Sequence, residues 1–167
     1  MGFSTKNKTS SAFCSSCSPG SYQNQTGGSD CKQCTVGTFL TKSESTNACP
    51  SCPSGKYQDE EGQAQCKSCP SGKWSDKIGA MIAGDCEDCQ VGKYSASVAV
   101  DFDCIFCPAG TRGKDGVAGG TNMTVCQACD VGQFRDGSDV VATSCRDCAI
   151  GFYTDNEGQG SCLPCIP

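Results

Sequence analysis

The chain contains no histidine and only two leucines. Without histidine, every acid, base or metal site that relies on an imidazole is excluded. Leu, Ile, Val and Phe together supply 23 of the 167 residues, about 14 %, which is too little apolar mass for a conventional core. The 13 Lys and Arg are scattered, no basic run occurs, and the formal charge is −5. The electrostatic footprint of a nucleic-acid binder is therefore missing. No apolar stretch reaches half of the roughly 20 residues that span a bilayer; the longest are pieces such as Ala80-Met81-Ile82-Ala83. Direct membrane insertion by this segment is not expected. Nor can a nucleophile with its base, a pair of carboxylates in apolar surroundings or a phosphate-type glycine loop be assembled, so no enzymatic activity is expected. The opening residues, Met1 to Lys6, lack the apolar run of a secretory leader, and Lys6 stands where a myristoylation motif needs Ser or Thr.

What the chain has instead is 18 cysteines and 21 glycines. Cysteine at about 11 % marks a disulfide scaffold, in which cross-links replace missing burial. The cysteines form nine C-x2-C pairs: Cys14/Cys17, Cys31/Cys34, Cys49/Cys52, Cys66/Cys69, Cys86/Cys89, Cys104/Cys107, Cys126/Cys129, Cys145/Cys148 and Cys162/Cys165. Successive pairs are 17 to 22 residues apart, a tandem-repeat signature. Residues 14–165 thus read as eight full repeats plus the first pair of a ninth. Residues 1–13 read as a polar linker or the tail of an earlier repeat, and residues 166–167 as the truncated start of the rest of the ninth.

Glycine follows the second cysteine at +3 in all eight full repeats: Gly20, Gly37, Gly55, Gly72, Gly92, Gly110, Gly132 and Gly151. A glycine held so strictly beside a cross-link implies a positive φ or close approach of another strand. Two residues later stands an aromatic, Tyr22, Phe39, Tyr57, Trp74, Tyr94, Phe134 or Tyr153, except in the sixth repeat, where Arg112 takes the place. Seven of the 12 aromatics occupy this position, so it is expected to form the repeat core, packed on neighbouring sulfur. Polar turn-formers such as Asp59-Glu60-Glu61-Gly62 separate each aromatic from the next cysteine, and each repeat reads as a short hairpin clipped at its base. Helix is expected to be minimal, with at most a turn at residues 78–83. The glycine-rich sixth repeat is expected to be the loosest joint.

Paired C-x2-C spacing also suits tetrathiolate zinc. Against it, the second cysteines are followed by Ser18, Thr35, Pro53, Pro70, Gln90, Pro108, Asp130 and Ala149. The three prolines have no N–H to offer a thiolate. Nine pairs would also leave one orphan beside four metal sites. Thiol exchange would need a βαβ setting that is absent. Loop geometry favours disulfides between successive pairs. One scheme is a ladder that joins the second cysteine of each pair to the first of the next and leaves Cys14 and Cys165 for neighbours. The other joins clusters two by two in a 1–3, 2–4 pattern and strands a whole pair. The ladder treats every repeat alike, and each loop of about 15 residues contributes roughly 3 kcal/mol in the chain-entropy account.

The stretch Cys49-Pro-Ser-Cys52-Pro-Ser-Gly55-Lys-Tyr57, continuing to Cys66-Lys-Ser-Cys69, resembles the cysteine-rich ephrin-receptor-like repeat, which is similar in style to EGF and tumour-necrosis-factor-receptor modules. The likeness spans residues 14 to 165. It implies an extracellular or cell-surface location reached through the secretory pathway, and use in stalks, matrix glycoproteins and surface arrays.

The fold expected is a small, disulfide-rich β-structure: an elongated tandem-repeat rod of short hairpins cross-linked by a ladder, of order 100 Å long if each hairpin spans about 15 to 20 Å. Asn7, Asn24 and Asn122 open N-x-[ST] sequons and are candidate acceptors for N-linked glycan. Acidic turns at Asp59 to Glu61, Asp136 to Asp139 and Asp155 to Glu157 have oxygen ligands for Ca²⁺ but lack the spacing of a calcium loop, so solvated turns and no cofactor are expected. The expected role is a structural segment of a larger surface, matrix or appendage glycoprotein that associates with copies of itself or other extracellular proteins. The competing readings are a receptor or adhesion ectodomain that binds a protein ligand, and an intracellular zinc protein. A membrane-spanning helix in the parent gene would favour the receptor.

Overall fold

A computed structural model describes residues 3–5, 14–25, 30–43, 47–138 and 142–166. Contacts divide the chain into two compact bodies, Met1–Cys69 with Ser75–Cys86, and Pro70–Trp74 with Glu87–Pro167.

The first body contains β1 (Phe3–Thr5), β2 (Cys14–Ser16), β3 (Ser21–Tyr22), β4 (Lys32–Gln33), β5 (Lys56–Tyr57) and β6 (Lys67–Ser68). The second contains β7 (Lys73–Trp74), β8 (Glu87–Asp88), β9 (Lys93–Tyr94), β10 (Ile105–Phe106), β11 (Thr111–Gly113), β12 (Cys126–Ala128), β13 (Gln133–Phe134), β14 (Arg146–Asp147), β15 (Phe152–Tyr153) and β16 (Leu163–Pro164). Each odd strand pairs antiparallel with the next even one, so every sheet is a two-stranded hairpin. The second repeat forms only an antiparallel bridge, Thr38 to Ser51. β1 pairs with β2 as Phe3 to Ser16 and Thr5 to Cys14, which places an additional hairpin ahead of the first full repeat. Among the described residues helix is confined to two 3-10 turns, Ala83–Asp85 and Met123–Val125. The first lies at the end of the stretch where the sequence allowed a turn.

Hairpins this short are not stable alone; their order comes from closure at the base and from neighbours. In every repeat the N–H of a second cysteine donates to the carbonyl of the preceding register glycine, from Cys34 to Gly20 at 2.8 Å through to Cys165 to Gly151 at 2.8 Å. All eight register glycines have positive φ, between 74° and 90°, and this backbone setting turns the chain from the cysteine pair into the strand. The sixth repeat differs from expectation. Its ladder, β11 with β12, runs for three residue pairs, whereas the other described full repeats carry two pairs or a single bridge. Arg112 stays in the strand opposite Gln127, and its side chain bonds Asp115 and the Gly113 carbonyl.

Little apolar carbon is buried. Among the described residues the buried apolar positions are cysteines plus Leu40, Ala80 and Ala142. Cys17, Cys34, Cys52, Cys69, Cys89, Cys107 and Cys129, the second cysteines of the first seven pairs, are essentially inaccessible.

Exposed ion pairs stitch the turns, as Lys67 does with Asp59 and Glu60 and Lys73 with Asp88; such pairs add little stability. Asp85 does more local work. Its carboxylate accepts from Lys77 Nζ at 2.6 Å and from the N–H groups of Met81 and Ile82 at 2.8 and 3.2 Å. The Lys77 ammonium, helped by those two N–H groups, holds its pKa below the ordinary carboxylate value. A depressed folded pKa stabilises above the unfolded value of about 3.9 and is lost as pH falls through the folded value. Amide exchange at Met81 and Ile82 should therefore accelerate below about pH 4. Asp85→Asn should abolish that acid-dependent step; an unchanged pH profile in the variant would refute the assignment.

Candidate interaction surface

Eight disulfides close a ladder: Cys17–Cys31, Cys34–Cys49, Cys52–Cys66, Cys69–Cys86, Cys89–Cys104, Cys107–Cys126, Cys129–Cys145 and Cys148–Cys162. The two-by-two alternative is not formed. Cys165 is free and exposed; the side chain of Cys14 lies outside the described residues. Cα separations of 5.6 to 5.9 Å suit an ordinary bridge. Converting Cys52 and Cys66 together to serine opens a loop with a sequence separation of 14 and should cost about 3 kcal/mol. Urea unfolding followed by exchange protection of residues 52–66 checks this, and an undiminished midpoint would show that the bridge is dispensable.

The ladder sets each hairpin against the next, and backbone groups make the joint. Within the first body, Gly20 N–H donates to Leu40 C=O at 2.8 Å and Gly37 N–H to Gln58 C=O at 2.7 Å. Within the second, Gly72 N–H reaches Ser95 C=O and Gly110 N–H reaches Arg135 C=O, at 2.8 and 2.7 Å. In each case the acceptor is the residue immediately after the next repeat's aromatic position. That same residue donates onward to the following turn: Leu40 to Gln63, Gln58 to Ala80, Ser95 to Gly120 and Arg135 to Gln159. The turn glycine then bonds back to a second cysteine, as Gly62 does to Cys34 and Gly158 to Cys129, both at 2.8 Å.

Held from both sides, the residue after the aromatic is the buried one. Gln23, Gln58, Ser75, Ser95, Arg135 and Thr154 are all buried there, with Leu40 and Gly113. The aromatics, expected as the core, lie one residue short of it. Tyr22, Phe39, Tyr57, Trp74, Tyr94 and Phe134 are half-buried, and Tyr153 is 42 % exposed. Sequence reasoning missed the buried column because its members share no chemistry. What recurs is a backbone N–H and C=O, which every residue but proline supplies. Their polar side chains find hydrogen-bond partners within the hairpin or in the neighbouring repeat, as buried polar groups require. Gln58 Nε2 donates to the Gln65 carbonyl at 2.6 Å, while its Oε1 accepts from Glu60 N–H at 3.1 Å. Gln23 repeats that pattern with Asp30 and Gln25. Arg135 Nη1 donates to the carbonyls of Cys107, Pro108 and Thr111 at 2.8, 3.0 and 2.9 Å, binding the seventh repeat to the sixth through a fully buried guanidinium.

The other candidate residues sit on the surface. Asn24 and Asn122 are exposed. Asn122 caps the second 3-10 turn, its Oδ1 accepting from Thr124 N–H at 2.9 Å and from the Thr124 hydroxyl at 2.5 Å. Asn7 and Asp139 lie outside the described residues. Two of the acidic turns are engaged with cations and hydroxyls of their own hairpins, and in the third Asp155 accepts from Asn156 Nδ2 at 2.9 Å. Asp59 meets Lys67, and Asp136 meets Ser138 and Arg146. These contacts, Lys67 and Ser138 foremost, hold both carboxyls below the usual range. Among the described residues no group of three or more Cys, Asp or Glu is placed to hold a metal, and no helix is long and apolar enough to cross a membrane. The fifth repeat departs from the polar-turn pattern. Its loop, residues 95–105, encloses a surface cavity of about 320 Å³ lined partly by Val98, Val100, Phe102 and Ile105.

The family model described as tyrosine-protein kinase ephrin type A/B receptor-like matches residues 5–48, 43–86 and 137–167. None of the curated proteins compared with the chain matches it.

Proposed function

The chain belongs to the ephrin-receptor-like cysteine-rich repeat family, and from that premise we propose that it serves outside the cell as a non-enzymatic structural segment of a larger surface, matrix or appendage glycoprotein. Cysteine-rich repeats of this family, closed by disulfides, fit an extracellular repeat segment. The finer reading is a stiff spacer that also presents surface for self-association, with copies of itself or other extracellular proteins as partners.

One observation carries this reading: the bonds that recur from repeat to repeat use backbone groups and cysteines, while the side chains at the joints vary from Leu40 to Gln58 to Arg135. A scaffold built this way maintains spacing and tolerates sequence drift, which is the requirement of a stalk or coat. A catalytic site instead demands particular side chains at fixed geometry.

The test is the state of the native parent protein. Extraction without reductant, alkylation of free thiols and intact-mass measurement should find the ladder cysteines protected and glycan mass on peptides holding Asn24 or Asn122. Sedimentation of the same material should show assemblies larger than one chain. Fully reactive cysteines would overturn the extracellular reading. A protected, glycosylated protein that remains monomeric at high concentration would favour the receptor or adhesion alternative, for which the apolar cavity of the fifth repeat is the specific supporting feature.

A further inference from the structure

The fifth repeat breaks two rules that other repeats keep. Its turn is apolar: where the third and eighth repeats carry Asp59-Glu60-Glu61-Gly62 and Asp155-Asn156-Glu157-Gly158, the fifth carries Val98-Ala99-Val100-Asp101-Phe102. The second rule concerns the backbone. Five residues after the aromatic stand Gly62, Gly79 and Gly158, with φ of 72°, 72° and 74°, whereas the fifth repeat places Ala99 there at φ 57°. Among the described residues no other residue with a Cβ has a positive φ. That setting is strained for any residue but glycine, and strain of this kind is a pointer to function when the surroundings repeat the signal. They do so here. Ala99 lines the surface cavity of about 320 Å³, together with Val98, Val100, Phe102 and Ile105. Val98, Phe102 and Ile105 are 61, 69 and 57 % exposed, an apolar cluster left in water by a chain that has few large aliphatic residues.

We propose that this loop, residues 95–105, is a docking site for a segment of another extracellular protein that inserts an apolar side chain flanked by Lys or Arg. The proposal rests on the reading above that other extracellular proteins are partners, and it specifies the site and the partner's chemistry. Size and exposure select a protein segment. A cavity of this volume lies at the lower end of the range for ligand sites, and its walls are so exposed that a free small molecule seated there keeps one side in water. A protein surface that inserts a side chain also covers the rim, which is how an interface anchor gains its energy. Charge selects the flanking residue. From Tyr94 to Thr111 the chain has no Lys or Arg. Asp103 is paired with Lys93, but among the described residues the exposed Asp101 meets no cation. A lone carboxylate beside an apolar cavity attracts a basic partner and repels an acidic one. A second copy of this chain offers Ile78 beside Lys77, but that ammonium is already bound to Asp85 at 2.6 Å.

NMR titration of the oxidised chain tests this with three short peptides, Gly-Lys-Phe-Lys-Gly, Gly-Glu-Phe-Glu-Gly and Gly-Lys-Ser-Lys-Gly, each taken to millimolar concentration. The expected result is saturable shifts at the loop amides with the first peptide, and affinity lower by tenfold or more for the other two. Val98→Lys, at an already exposed residue, should remove the binding. Asp101→Asn should erase the preference for the lysine peptide over the glutamate peptide. Ala99→Gly relieves the strained φ but takes a methyl from the cavity lining. It should weaken binding while the urea midpoint stays equal or rises, a split that damage to the fold does not produce. Shifts that are absent, or equal for all three peptides, overturn the site. Equal affinity for the two phenylalanine peptides overturns the assigned partner class. Self-association of the chain alone that Val98→Lys abolishes assigns the loop to a second copy and overturns the proposal as well. None of these failures touches the structural reading, which is tested separately on the native parent protein.

Discussion

Reducing the eight bridges under native conditions should unfold both bodies. Among the described residues the buried apolar ones other than cysteine are Leu40, Ala80 and Ala142, and even a leucine contributes only about 1.5 to 3 kcal/mol on burial. Strands of two residues carry no independent stability. The ladder stabilises the fold by restricting the unfolded chain, at roughly 3 kcal/mol per loop of about 15 residues before any discount for non-additivity. Reductant without denaturant should therefore remove exchange protection from the second-cysteine N–H groups and expand the chain to a radius of gyration of about 43 Å, the unfolded value for this length. Retention of protected amides after complete reduction and alkylation would mean that packing, rather than cross-linking, supports the fold.

Gly110→Ala should cost more than about 4 kcal/mol, in the range reached only by a few identifiable mechanisms. Two operate together. The φ of Gly110 is +78°, a setting that costs a residue with a Cβ about 1 to 2 kcal/mol. The new methyl carbon would also lie 1.9 Å from the Gly158 oxygen and 2.5 Å from its carbonyl carbon. Both are backbone atoms, so no side-chain rotation relieves the overlap. Displacing them breaks the bond from Gly158 N–H to the Cys129 carbonyl, 2.8 Å long in the intact fold. Gly132→Ala separates the two contributions. Its φ is +84°, but nothing lies within 4 Å of the added carbon. Only the conformational cost of about 1 to 2 kcal/mol should remain. Urea unfolding of the two oxidised variants in parallel measures the difference. Equal losses would show that the approach of the eighth repeat to the sixth is not fixed by that glycine.

The two substitutions also mark where sequence reading reaches its limit. Both glycines were visible as members of one register, and the physical inference attached to them, positive φ or close approach, covers both. Which of them is also compressed by a neighbour depends on the turn two repeats away, and no local pattern records that distance. The aromatic column shows the limit from the other side. A conspicuous residue type drew the expectation of a core, yet Tyr57 and Trp74 flank the joint while Gln58 and Ser75 fill it. The burial of Arg135 was equally illegible, because it bonds three carbonyls of the preceding repeat, groups that leave no mark in the side-chain sequence. Arg112 was conspicuous as the exception to the aromatic rule. Its repeat nonetheless forms a three-pair ladder, with Gly113 in the buried column so close to Gly92 that a Cβ would stand 2.3 Å from the Gly92 nitrogen.

The amino-acid sequence by itself determined the repeat length, the hairpin in each repeat, the reliance on cross-links and the family, because cysteine and glycine perform tasks that other residues do not. It also narrowed the bridges to a ladder or one alternative, since loops between successive pairs close without strain. The tertiary structure alone decided which residue of each repeat is buried and which glycines are crowded. Those properties arise from backbone N–H and C=O groups meeting between repeats, and because nearly every residue carries the same two groups, the side-chain sequence holds no mark of where they meet.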